Sequence, residues 1–374
     1  MLEVQPYHIG RARIVYSFDR KLYDRATRAR RCQPLGLGGC FGGAAHAALV
    51  SGFNGQIASL FPGAAQVLQS DLGLTYGSQP KATGTTPPVT TLSGSLSATP
   101  VPIWFKCTTA GAIGSGALFS AYVDGVGTTP FATGISPLAG SPVALSGPCS
   151  GLSIAWAAGS AALDNIWKAT GSGLADQTVN GKNAAQATAA KQPIVTIGIN
   201  GRVGLLFDGV DDTLDAASLT LPAPGTTPTF HWAVWRKVSE PGGSSVHFGD
   251  MGLIAHALFC PSGGTSFQTW NGIYGPLSSL TMGQWMRTEA IFTNSTSDYL
   301  KSGSLSAVTG VNALNSASPG GYQIGNSNNS VGRYSNMELL AHVITPYLPS
   351  PTQLSAASAK INLSTGYGPG AIAV

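Results

Sequence analysis

Hydrophobic and polar residues alternate in short runs along most of the chain, with turn residues between the runs. The clearest is Val203–Phe207, an apolar strand stopped by Asp208-Gly209 and followed by a second short strand at Thr213–Leu214. Beyond it the pattern predicts strands over Thr229–Val238, Val246–Phe248, Ile254–Phe259, Ser266–Trp270, Gln284–Thr293, Tyr322–Gly325 and Asn336–Ile344. Thr229–Val238 carries large apolar groups on both faces, so one face is expected to pack a second sheet and the other to meet a neighbour. Upstream, strands are predicted at Val101–Thr108, Ala117–Val123, Val143–Leu145 and Leu152–Trp156. Ser350-Pro351 opens a helix running to about Leu363, with Leu354, Ala357 and Ile361 on one face.

The first part of the chain lacks this regularity. Arg11–Phe18 alternates like a strand, and Asp19 is placed to cap a short basic helix through Arg31. Gly36–Val50 is apolar but too rich in Gly and Ala for a membrane span, and it starts too late for a secretory signal. A helix is expected around Ala64–Leu72, and Pro80–Pro88 reads as a linker. The expected organisation is a docking segment over residues 1–88 that orders itself on a neighbour, a small β module over 89–163, and a sandwich over 164–374. The fold class is therefore mainly β, a small β-sandwich module followed by a larger sandwich that ends in a short helix.

Composition fits many tight turns: 49 Gly, 24 Pro and only 10% charged residues, against roughly 25% in an average globular protein. Hydrophobic residues still make up 43%, so the chain is not of a disordered type. Residues 1–31 hold eight Arg and Lys against three acids, which leaves the remaining chain close to neutral. That basic arm reads as a solvated face or as a contact for an acidic partner, with nucleic acid disfavoured. The five Cys do not have the spacing of a zinc site. Cys107 and Cys149 fall in or beside strands of one module, where they are either bonded or small buried apolar residues.

Two stretches resemble known families. The order Gly111, Gly114, Gly116, then Phe119 to Tyr122, Asp124-Gly125, Val143 and Leu145, Gly151-Leu152, and Trp156 with Gly159 resembles a β module of tailed-phage virion proteins. It departs from that module at Ser160-Ala161, where a Thr-Tyr-like pair is usual. The second stretch runs Asp164 to Trp167, Asp176-Gln177, Asn180 to Ala184, Gln192-Pro193, Asn200-Gly201 and Phe207 to Asp212. It is similar to the entry of concanavalin A-like, laminin-G-like jelly-roll domains of phage tail and bacterial surface proteins. The Trp285-led strand and the close at Tyr367-Gly368 follow the same resemblance, although Met286 and Arg287 stand where a His is common.

Jelly rolls of this kind bind calcium or sugars, or hydrolyse glycans. Hydrolysis needs two carboxylates about 5–10 Å apart. The Glu-x-Asp-x-x-Glu strand of concanavalin-like glycosidases is missing from this sequence, so the chain is expected not to be an enzyme. Asp208, Asp211 and Asp212 crowd one turn, either as calcium ligands or, the favoured reading, as turn-closing acceptors. No other cofactor is implied. His8, His46, His231, His247, His256 and His342 show no ligand spacing. Gly38-Gly39 and Gly42-Gly43 lack the Lys-Ser/Thr of a phosphate loop. Trp270, Tyr274 and Tyr334 are the candidates for stacking a sugar ring, against an ordinary core or interface role.

The resemblances imply a structural component of a tailed-phage virion, in the tail fibre, tail tip or baseplate. Residues 1–88 would contact other virion proteins, and the jelly roll would face outward to a host-surface glycan or a virion protein. Assembly as a homo-oligomer is expected, with no membrane contact. The alternatives are a capsid decoration protein and a bacterial surface carbohydrate-binding adhesin.

Overall fold

A computed structural model describes residues 57–96, 99–123, 125–222, 227–239, 245–251, 256–261, 265–270, 274–292, 298–302, 306–310, 320–326 and 333–362. The expectations for Arg11–Arg31, Gly36–Val50, Cys32, Cys40 and Tyr367-Gly368 lie outside these residues.

The long strand Asn336–Thr345 organises an eight-stranded antiparallel sheet. On one side it pairs Thr229–Lys237, which in turn pairs Met286–Phe292. On the other it pairs Val203–Asp208 along its first half and Gln66–Gln69 along its second. A nine-stranded sheet faces it, built around Leu214–Thr220, Gly320–Ile324, Ser245–Asp250, Ala257–Cys260, Ser266–Trp270 and Tyr274–Ser279. Leu205, Phe207, Trp235, Phe248, Phe267, Tyr322 and Leu339 fill the space between the two sheets.

The period-two pattern of Thr229–Lys237 explains its central position. Ala233 and Trp235 join the inter-sheet core, while Phe230, Trp232 and Val234 point the other way. That second face does not await a neighbour, contrary to expectation. Ile57, Phe61, Ala64 and Val67 cover it together with Leu354, Ala357 and Ile361 of the helix Pro351–Asn362. The helix starts with a reciprocal cap: the Ser350 N–H donates to Gln353 Oε1 at 2.8 Å and the Gln353 N–H to Ser350 Oγ at 3.3 Å.

The helix expected around Ala64–Leu72 is instead the strand Gln66–Gln69, every residue of which is buried. Tertiary pairing overrides local propensity here. The Val67 N–H donates to Asp176 Oδ1 at 2.9 Å, and the Asn180 side-chain amide donates to the Ala64 carbonyl at 2.8 Å. Asp176 also accepts from the Thr178 N–H, the Thr178 hydroxyl and the Lys182 N–H. The Asp176–Asn183 motif is thus a clamp on the early strand. Leu74–Tyr76 then joins the nine-stranded sheet beside Gly171–Leu174. Residues 57–76 are built into the large sandwich. Within the expected linker, Lys81–Thr83 is a strand paired with Ile166–Lys168.

The smaller module has a five-stranded sheet, Lys81–Thr83, Ile166–Lys168, Ile103–Thr109, Leu118–Val123 and Ala132–Ile135, and a three-stranded one, Thr90–Gly94, Leu152–Trp156 and Val143–Ala144. They share a core in which Phe119 stacks on Trp156 at 4.5 Å and meets Trp167 edge-on at 5.4 Å. Cys107 and Cys149 are free thiols buried in that core. Burial pushes the Cys149 thiol up to about 12. The mainly β architecture read from the pattern is the one observed.

Candidate functional site

The acidic turn lies where Val203–Asp208 leaves the sheet. Ligating atoms of Asp208, Asp211 and Asp212 fall within 4.8 Å of one another. Much of their capacity is committed to the turn itself. Asp208 Oδ1 accepts from the Val210 N–H at 2.8 Å and the Asp211 N–H at 3.3 Å, and Asp212 Oδ2 accepts from the Asp208 N–H at 3.0 Å. The strand Lys81–Thr83 then brings an ammonium group to the cluster. Lys81 Nζ sits 3.1 Å from Asp208 Oδ2 and 2.5 Å from Asp212 Oδ1. Burial opposes the charged form of Asp208, but the Val210 N–H and Lys81 outweigh it and hold that carboxyl below its usual range. At Asp212, burial wins against Lys81 and pushes the carboxyl up to about 7. The turn is therefore an ion pair with a second, readily protonated carboxyl beside it. A calcium ion bound by these three residues would meet the Lys81 charge.

The aromatic candidates separate into a pair and an outlier. Trp270 and Tyr274 face each other across the hairpin of Ser266–Trp270 and Tyr274–Ser279, the outermost strands of the nine-stranded sheet. Their rings meet edge-on at 4.7 Å, and Phe259 lies behind both at 6.2 and 5.8 Å. Tyr274 is 65% exposed, with Leu277 exposed nearby on the same strand. Tyr334 is half-buried on a separate segment, and among the described residues no ring contact joins it to this pair.

Three polar groupings escaped the sequence reading, because strand pairing rather than spacing brings them together. The first crosses the outer face of the eight-stranded sheet. Glu338, fully buried, pairs with Arg236 Nε at 2.6 Å, and Arg236 lies over the Trp285 ring at 5.4 Å. Burial, against the pull of Arg236, pushes the Glu338 carboxyl up to about 7. The second is a buried relay in which His247 Nε2 lies 2.8 Å from Cys260 Sγ and His247 Nδ1 bonds the Ser335 hydroxyl. Burial, then Lys237, drives the His247 imidazole well below its ordinary value, so it is neutral. A neutral ring can accept from the thiol at Nε2 and donate to Ser335 from Nδ1. The third groups His231, His256 and His342 with Tyr322.

No protein-family profile matches the chain, and no curated protein matches it. Similar solved structures include Trypanosoma rangeli sialidase in complex with sialic acid, at 11% identity and a TM-score of 0.33. That match covers 50% of this chain and 30% of the sialidase. Another is the binding domain of Paraclostridial Mosquitocidal Protein 1, at 10% identity and a TM-score of 0.39, covering 50% of each chain. This chain thus spans under a third of the sialidase and about half of the toxin domain. The sialidases correct one expectation. Proteins whose folds overlap this one include enzymes, so the missing Glu-x-Asp-x-x-Glu triplet does not make the chain a non-enzyme. At these identities the likeness is one of fold and assigns no activity. The class that the fold defines is a β-sandwich protein.

Proposed function

We propose that the chain is a glycan-binding β-sandwich protein of a tailed-phage particle, and that the Trp270–Tyr274 hairpin receives the sugar. One observation carries the glycan reading. A largely exposed Tyr274 is braced edge-on by Trp270 on an outermost hairpin, with Phe259 behind them. Rigid aromatic faces held at a surface suit the apolar faces of sugar rings, and their order is set before the ligand arrives. The particle placement is supported by the sequence motifs of residues 111–159 and 164–212. In that reading the protein assembles as an oligomer and its basic arm, residues 1–31, contacts other particle proteins.

The test is titration of the full chain with purified surface polysaccharide from candidate hosts, beside Tyr274→Ala. Saturable binding that weakens about tenfold in the variant, roughly 1.4 kcal/mol, with an unchanged melting temperature is the expected result. Equal binding by Y274A would remove the hairpin from the site. Absence of binding to every host polysaccharide would remove the glycan reading, and absence of the protein from purified particles would remove the particle placement.

A further inference from the structure

Between the two large sheets, within the mostly apolar layer, lies a cluster of buried imidazoles. His231 comes from Thr229–Lys237, His342 from Asn336–Thr345, and His256 from the residue before Ala257–Cys260. Their exposures are 1%, 0% and 1%. The His231 ring centre lies 5.7 Å from that of His342 and 6.1 Å from that of His256. Phe248 and Tyr322 stack on His342 at 4.8 and 5.5 Å, and Phe292 closes on His231 at 5.1 Å. The Tyr322 hydroxyl supplies polar contacts, meeting His231 Nδ1 at 3.0 Å and the His256 carbonyl oxygen at 3.4 Å. Among the described residues, His231 Nε2, His256 Nδ1 and both nitrogens of His342 have no hydrogen-bond partner. His256 also holds a left-handed backbone, with φ at 48°, a conformation that a buried non-glycine residue adopts only under constraint.

We propose that this imidazole cluster is an acid-sensitive lock on the sandwich: neutral rings fill the gap between the sheets, and charged rings force it open. An imidazolium carries two donors and a full charge, and no solvent reaches this layer to meet either. Adjacent rings would also repel one another once charged. Burial, with its neighbours His342 and His256, holds His231 well below its ordinary value, and burial alone lowers His256 to about 4 and His342 to about 3.

Among the described residues, the charged and titratable groups that face the cluster are few. Tyr322 comes from Gly320–Ile324, and Asp250 sits opposite it in register. Farther along the same layer, Lys237, His247 and Cys260 point inward. The inward positions of Val203–Asp208, Leu214–Thr220 and Met286–Phe292 are apolar or neutral: Leu205 and Phe207, Leu214 and Ala216, Thr288, Ala290 and Phe292. Of the facing groups among the described residues, only Asp250 could favour a charged ring, and it acts on Tyr322, whose hydroxyl burial and Asp250 hold well above its ordinary range.

The sign follows from the lowered values. Above the unfolded value of 6.5 the rings are neutral in both states and impose no penalty. As pH falls below 6.5 the unfolded chain takes up protons that the folded chain refuses until about 4 and about 3, so stability drains through that window. The test follows near-ultraviolet circular dichroism and amide exchange of the full chain from pH 8 to pH 3.5, beside His342→Phe and His256→Asn. Phenylalanine keeps the stack with Phe248 and Tyr322, and asparagine tolerates the left-handed backbone. The wild type should lose its tertiary signal cooperatively in acid, and each variant should open about one pH unit lower. Opening of all three proteins at the same pH, or a wild type that stays closed to pH 3.5, would overturn the proposal. If H342F does not fold, nuclear magnetic resonance titration of the three wild-type imidazoles decides. Any of them titrating near 6.5 in the folded chain would equally overturn it.

Discussion

Arg202 and Asp71 form an ion pair from which water is excluded, their side chains 1% and 3% exposed. Arg202 Nη1 also donates to the Lys360 carbonyl at 3.0 Å, in the last turn of the C-terminal helix. One guanidinium therefore ties the early chain, the turn before Val203–Asp208 and the end of the helix, and satisfies a carbonyl that a helix terminus leaves open.

Cutting this tie should be costly. Arg202→Met leaves Asp71 buried without its cation, for which the expected loss is about 3–5 kcal/mol. The double variant R202M with Asp71→Leu removes both charges and should recover much of that loss. Urea unfolding of the two proteins checks the ordering. A double variant weaker than R202M alone would show that the pair does more than compensate its own burial.

Gly325 occupies a position that a side chain cannot share. Its φ is 89°, and an added Cβ would lie 2.6 Å from both the Asp212 carbonyl oxygen and the Phe207 ring. Gly325→Ala should destabilise by about 2 kcal/mol or more, through backbone strain and overpacking together. Thermal melting should show the midpoint falling by several degrees, on the order of 2–4 °C per kcal/mol in a large domain. An unchanged midpoint would mean that the Gly320–Ile324 strand shifts freely.

Lys81 and a calcium ion would compete for the same oxygens. In Lys81→Met, Asp208 and Asp212 lose their cation, so the protein should be less stable at neutral pH by about 1–3 kcal/mol. Calcium should then raise the melting temperature of K81M more than that of the wild type. Scans in millimolar calcium against chelator test this, and equal shifts in both proteins would show that Lys81 does not occupy the cation position.

Glu338 sets a pH dependence opposite in sign to that of the histidines. Burial raises its folded value to about 7 from 4.5. The unfolded chain therefore releases this proton first, and stability is lost as pH rises from about 4.5 to about 7. Glu338→Gln should abolish that loss, worth up to about 3 kcal/mol between pH 5 and pH 8. Urea midpoints at both pH values measure it. The histidines are common to both proteins, so their effect cancels in the comparison.

The sequence was most legible where a local period matched a buried face. Thr229–Lys237 and Asn336–Thr345 showed their strands because both faces of each are covered by apolar side chains. Ser350 and Gln353 cap the helix from three residues apart, within reach of a local reading. Trp270 and Tyr274 are aromatic and close in sequence, so a local reading reaches both. Gln66–Gln69 was missed because half of it is glutamine and its partner strand lies at the other end of the chain. The Lys81–Asp212 contact spans 131 positions, and nothing near either residue announces it. The histidines look scattered because His231 and His342 become neighbours only through the register that sets His231 opposite Ile344 and Ala233 opposite His342. A missing carboxylate triplet is a local feature, and catalytic groups can come together from strands far apart in the chain.

The early thread of Gln66–Gln69 and Leu74–Tyr76 also bears on the order in which the chain is expected to assemble. Ser70 bonds the Leu340 carbonyl across 270 positions. On a ribosome, the early strand is made long before its partner exists. Contacts within Thr90–Trp156 close over far shorter loops, and short closures are faster. The smaller module can therefore close while the first strand of the larger sandwich is still unpaired, and that sandwich is completed only when Asn336–Thr345 emerges. By loop length alone, the middle of the described chain is expected to fold before Gln66–Gln69 finds its partner.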